Sequence, residues 1–118
     1  MKIKFFYSQV YFRHLNQNKT TKRSWEEVKK IGKTFEKKYT KEIENLLKII
    51  PQEVGKPWQS KEITVYPIDW SGPSFSNPLT LKVRDDLKLM LVILIHELLH
   101  DFFLQEKILK ELKKKLIS

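Results

Sequence analysis

The chain contains no cysteine in its 118 residues. Disulfides and thiolate metal ligands are therefore excluded, and the composition fits a reducing compartment such as the cytoplasm. A membrane-spanning run is also missing. The uninterrupted apolar stretch from Leu89 to Ile95 is far shorter than the roughly 20 residues that a span requires. The start, Met1-Lys2-Ile3-Lys4, leads into mixed polar and aromatic sequence rather than the apolar core of a signal peptide. There is no low-complexity tract and no internal repeat, which argues against disorder and against an array of repeats. What remains is one soluble domain over residues 1–118, long enough for a single core and too short for two.

Acidic residues are outnumbered, 14 against 23 Lys and Arg, for a net charge of +9. Such an excess raises nucleic acid or an anionic surface as a partner. The cations are scattered, however, over Lys29, Lys30, Lys33, Lys37, Lys38, Lys41 and Lys48 and then from Lys107 to Lys115. They have little of the aromatic interleaving used to stack bases, and a Lys-rich polar face is usually a solvated face. Neither nucleic acid nor membrane is expected as a partner. High Lys and Ile without Cys resembles thermophile composition.

Lys2–Tyr7 reads as a first strand rich in aromatic and β-branched residues. Ser8–Arg23 gives no clear pattern, and 16–21 reads as a polar loop. Ser24-Trp25-Glu26-Glu27 is a capping box, with Ser24 as N-cap and Glu27 reaching back to the Ser24 amide. The helix it opens carries a core-facing stripe of Trp25, Val28, Ile31, Phe35, Tyr39, Ile43, Leu46 and Ile50, and Pro51 is expected to end it. Gly55, Pro57 and Ser60 mark a connection. A second strand follows over Glu62–Ile68, in which Pro67 implies fraying or an edge position. Trp70–Pro78 is a loop by composition, Leu79–Arg84 a third strand, and Asp85 or Asp86 a cap for the next helix. The expected fold is α+β: a small three-stranded sheet, a long backing helix, a buried central helix and a short C-terminal helix over Lys107–Ile117.

His96-Glu97-Leu98-Leu99-His100 is the most informative stretch, and it reads H-E-x-x-H. On a helix, residues four apart share a face, so both imidazoles can address one ion. Glu97 follows His96 by about 100° and can stand beside an activated water without ligating. That arrangement suits zinc-dependent hydrolysis with Glu97 as general base. The surrounding segment, Leu87–Leu104, is apolar nearly all round, the pattern of a buried helix. Burying a single unpaired polar group costs roughly 2–7 kcal/mol, a cost that a metal would remove for the imidazoles. The competing reading is a pair of core histidines donating to carbonyls, with Glu97 reaching solvent.

With these residues in view, the chain resembles a zincin of the gluzincin type, and most narrowly the minigluzincins, very small metallopeptidase domains. The likeness covers nearly the whole chain in element order, but only the IHELLH core, with the preceding LTLKVRDD, is specific residue by residue. It implies zinc held by His96 and His100, Glu97 as base, and a peptide or protein substrate lying along Leu79–Arg84 as the edge strand. It also implies a C-terminal segment able to hold the enzyme latent. A homodimer through that segment is one further expectation.

Catalytic zinc takes three protein ligands, and here the sequence leaves alternatives. Glu106 falls six residues after His100, the spacing of the third ligand in metzincins, but without the glycine that turns the chain there. Glu111 could return on a helical hairpin near Gln105–Lys107, as gluzincin glutamates do, although neither Gly nor Pro marks a turn. His14 is the one other histidine and sits beside a polar loop. Glu106 is the expected third ligand on spacing. Tyr66 and Arg84 could polarise a scissile carbonyl, but nothing in the sequence selects them. The alternative from a different class is a basic interaction module with a vestigial metal site.

Overall fold

The computed structural model describes residues 2–17, 21–58 and 61–117; beyond His100, side chains are described only at Phe102 and Lys114. The elements are β1 (Lys2–Phe5), α1 (Gln9–Asn16), α2 (Trp25–Val54), β2 (Glu62–Ile68), β3 (Phe75–Ser76), β4 (Leu79–Lys82) and α3 (Leu87–Ile117). The fold is α+β with a mixed four-stranded sheet of order β1-β2-β4-β3. The first two pairings are parallel and β3–β4 is antiparallel. Helix α2 lies against β1 and β2, α3 lies against β4 and β3, and the two helices touch. Part of the polar loop expected over 16–21 and Ser60 of the expected connection lie outside the described residues.

Helix α2 forms as its sequence dictates and runs further. The Ser24 hydroxyl accepts from the Glu27 amide at 3.2 Å. The Glu27 carboxylate faces the Ser24 hydroxyl at 3.4 Å, rather than the Ser24 amide. Along the helix Val28, Gly32, Phe35, Tyr39, Ile43 and Leu47 are buried, so the stripe drifts onto Leu47 where the sequence pattern favoured Leu46. At Gly32 the helix comes so close to the sheet that a Cβ would sit 2.7 Å from the Tyr7 ring and 3.3 Å from Pro67.

Pro51 does not end the helix, which continues to Val54 and closes on Gly55 in the left-handed region (φ 77°). A proline inside a helix leaves the carbonyl four residues back without its donor. Here that carbonyl belongs to Leu47, and it accepts instead from the Trp58 indole N–H at 2.8 Å. The replacement donor explains why the last turn survives. The Trp58 ring then meets Phe102 edge-on, 4.6 Å between centres, which ties the end of α2 to α3.

The sheet differs from the expected three strands in one addition. Residues 75–76 fold back as β3 and pair with Leu79 and Thr80. The Lys82 amide donates to Ser74 Oγ at 2.9 Å. Strand β4 is thus an inner strand, and its outer side is already taken. Strand β2 is also internal, despite Pro67. Its Val65 carbonyl accepts from Phe6 on the β1 side and its Ile68 carbonyl from Val83 on the β4 side. Backbone polar groups alternate sides along a strand, so Pro67 turns its missing N–H toward the side where β1 has already ended. Buried Thr80 gives its one hydroxyl proton to the Pro78 carbonyl at 2.8 Å, so the Tyr11 hydroxyl donates to it at 2.6 Å. That bond fastens α1, a helix absent from the sequence reading, onto the sheet.

Tyr7, just beyond β1, illustrates how this packing sets a pH dependence. Its hydroxyl donates to Glu36 Oε2 at 2.9 Å. Burial first, then the bond to Glu36 and the charge of Glu36, push its pKa far above the ordinary tyrosine range. A pKa raised on folding contributes stability below the unfolded value near ~10, and that contribution drains away as pH climbs above it. Tyr7→Phe is therefore expected to lose about 1 kcal/mol at neutral pH and to show a flatter alkaline decline than wild type. Urea titrations at pH 7 and between pH 10 and 12 read both; parallel alkaline slopes would show that Tyr7 does not carry this effect.

Candidate metal centre

Helix α3 begins where Asp86 caps it, its carboxylate accepting from the Leu89 amide at 3.1 Å. It then continues as one helix to Ile117. The separate C-terminal helix expected over Lys107–Ile117 does not form; the segment prolongs α3 instead. Nothing in Gln105–Lys107 supplies the Gly or Pro that would break it. Despite its 31 residues, no stretch of α3 among the described residues is apolar enough to cross a membrane.

One row of α3 is nearly or fully buried, Met90, Leu94, Leu98 and Phe102, and Leu87, Leu91 and Ile93 pack partly buried against the core beside it. The opposite side is open. Leu89 is 42 % and Val92 58 % exposed, and His96 and His100 are exposed on the same side. At 100° per residue, Leu89, Val92, His96 and His100 fall within about 80° of one another, roughly opposite the buried row. The motif helix is therefore not covered on most sides, as its uniform apolarity suggested. The core takes one side of α3, where a residue every four positions is fully or nearly buried. The burial cost that favoured a metal in the sequence does not apply to these solvated rings.

Geometry nevertheless brings the pair together. The His96 and His100 rings lie 4.4 Å apart between centres, inclined at 45°. Glu97 is half-buried on the flank of α3, between the histidine face and the buried row. Two accessible imidazoles on one helix face, with a carboxylate beside them, fit a nitrogen-seeking ion such as zinc.

The remaining ligand candidates are placed less favourably. His14 is exposed on the last turn of α1. The side chains of Glu106 and Glu111 lie outside the described residues. Along the uninterrupted helix, position 106 is about 9 Å beyond His100 and ~120° off its face, and position 111 about 16 Å beyond it. Among the described residues, no three of His, Asp and Glu gather closely enough to hold an ion. Arg84 and Tyr66 also separate: Tyr66 packs edge-on against Phe6 and Tyr11, whereas Arg84 lines a hollow near the start of α3.

The strand expected to guide substrate, Leu79–Arg84, is not free to do so. Its outer side is held by residues 74–76, because the loop Trp70–Pro78 doubles back as a hairpin. This hairpin is not legible in the sequence, since two residues are too few for an alternating pattern. Comparison with family models, with curated proteins and with solved structures finds no match to this chain.

Proposed function

We propose that the protein is a zinc-dependent peptide hydrolase whose ion is held by His96 and His100, with Glu97 as general base. The observation that carries this reading is the pair of exposed imidazoles 4.4 Å apart on one face of α3, with Glu97 next to the first of them. Zinc, when bound, would polarise a carbonyl and acidify water. The two imidazoles would hold the ion through their ring nitrogens. Glu97 lies about 60° to 100° away from them around the helix, so its carboxylate would stand beside the ion and take a proton from water, leaving the water oxygen to bond to the peptide carbonyl carbon. It then delivers that proton to the amine that leaves as the peptide bond breaks.

Glu106, the expected third ligand, reaches the ion only if α3 opens between His100 and Glu106. Zinc affinity of Glu106→Ala decides the matter directly. A tenfold or greater loss puts Glu106 on the ion, and unchanged affinity leaves it off.

The first test is metal content, measured by mass spectrometry on purified wild type and on His96→Ala/His100→Ala. Stoichiometric zinc in the wild type and none in the variant is the expected result. Because both rings are solvated, the double variant should keep its stability to within about 1 kcal/mol, as exposed substitutions do. A wild type that neither carries zinc nor takes it up would sink the metal reading and favour the basic interaction module.

A further inference from the structure

At the N-terminal end of α3 lies a hollow of about 670 Å³ that the mechanism above does not use. Its charged lining is Lys22, Arg23, Lys82 and Arg84 against Asp69 and Asp85. The two acids are already engaged by one residue. Arg23 donates its amide to Asp69 Oδ2 at 3.0 Å and its guanidinium to Asp85 Oδ1 at 2.9 Å and to the Val83 carbonyl at 3.3 Å. Lys22, Lys82 and Arg84 are left without an acidic partner among the described residues. Arg84 is the most telling of them, since its Nε is buried with no hydrogen-bond partner. A buried donor left unmade costs about 1–3 kcal/mol, so such groups call for an explanation. An Arg with an unpartnered Nε, beside two lysines without an acidic partner, gives the hollow a cationic wall suited to a carboxylate.

The hollow also has a position relative to the histidines. Leu89 lines it and stands on the exposed side of α3 with Val92, His96 and His100. Leu89 and His96 are seven residues apart, which is about 10 Å along the helix and ~20° around it. An extended peptide covers that distance in about three residues at ~3.3 Å each. Exposed Leu89 and Val92 supply apolar contact along the way.

We infer that this hollow binds a carboxylate of the substrate, about three residues from the bond cleaved, making the protein selective for acidic peptides. The inference rests on the hydrolase reading for the meaning of that distance. The carboxylate can belong to an Asp or Glu side chain or to the peptide's own C-terminus. Trp70 shapes the wall: its indole N–H donates to the Pro73 carbonyl at 2.8 Å, and its ring lies over Gly72, where a Cβ would come within 2.4 Å of it.

The test uses the full chain carrying Glu97→Gln, in which turnover is expected to be slowed at least about 100-fold, and a fluorescein-labelled heptapeptide followed by anisotropy. Peptides carrying Glu three residues from the centre are compared with their Gln counterparts, each with a free or an amidated C-terminus. Glu should improve affinity about tenfold, the gain should shrink as salt rises from 50 to 500 mM, and Arg84→Met or Lys82→Gln should remove it. Affinity that follows the free C-terminus instead, and is lost on amidation or in Arg84→Met, assigns the same hollow to a terminal carboxylate. Equal binding of all four peptides overturns the inference. So does a charge preference unmoved in Lys82→Gln and in an Arg84→Met protein with wild-type circular dichroism. Failure of the hydrolase reading looks different: the acidic peptide binds as described, yet wild-type protein with zinc cleaves none of the set.

Discussion

Replacing Glu97 by Gln is expected to slow peptide hydrolysis by about 100- to 10,000-fold, the usual range for loss of a general base, while zinc remains at wild-type occupancy. Gln keeps the size and shape of Glu and can still donate or accept a hydrogen bond, but it does not take up a proton at neutral pH. Occupancy should be spared because Glu97 is on the flank of α3 and not in the row of His96 and His100. Turnover of a fluorogenic peptide and zinc by mass spectrometry, measured on one preparation, separate the possibilities. A variant retaining more than a tenth of wild-type turnover would place the base elsewhere. Zinc lost together with activity would make Glu97 a ligand instead.

Leu94→Ala is expected to destabilise the fold by about 2–5 kcal/mol, as deletion of a buried Leu side chain does. Val92→Ala, two positions away, should stay within roughly 0.5 kcal/mol. Leu94 is fully buried in the row that meets the sheet, whereas Val92 is 58 % exposed beside the histidines. The contrast reports the rotation of α3 about its own axis, and that rotation decides whether the motif faces solvent or core. Urea unfolding followed by circular dichroism gives both values. A large cost at Val92 with a small one at Leu94 would turn the helix over and bury His96 and His100.

Much of the local structure was legible because local chemistry set it. The Ser24 cap, the start of α2 and the Asp86 cap depend on side chains within a few residues of the backbone groups they serve, and the span of β2 followed from its own β-branched and aromatic side chains. Helix α1 was missed although it carries a Ser8 cap, whose hydroxyl accepts from the Tyr11 amide at 3.1 Å. Its eight residues contain one buried side chain, Phe12, too few to set a period. Pro51 misled for a different reason. The donor that replaces its missing N–H is Trp58, which arrives from beyond the end of the helix.

The candidate site divides in the same way. Which residues could hold an ion, and that two of them share a helical face, followed from H-E-x-x-H and the 3.6-residue turn. Whether that face is covered did not follow, because Leu87–Leu104 of α3 is apolar nearly all round and offers no preferred side to bury. The sheet made the choice by accepting Met90, Leu94, Leu98 and Phe102, which left the histidines in water. Tertiary structure likewise moved the sheet edge from β4 to β3 and gathered Lys22, Lys82 and Arg84, up to 62 residues apart in the chain, around one hollow. Local sequence determined helices, caps and the chemistry available to them, since those interactions span a turn or less. Exposure and the neighbours of the site depend on contacts between distant segments, which are fixed only when the whole core packs.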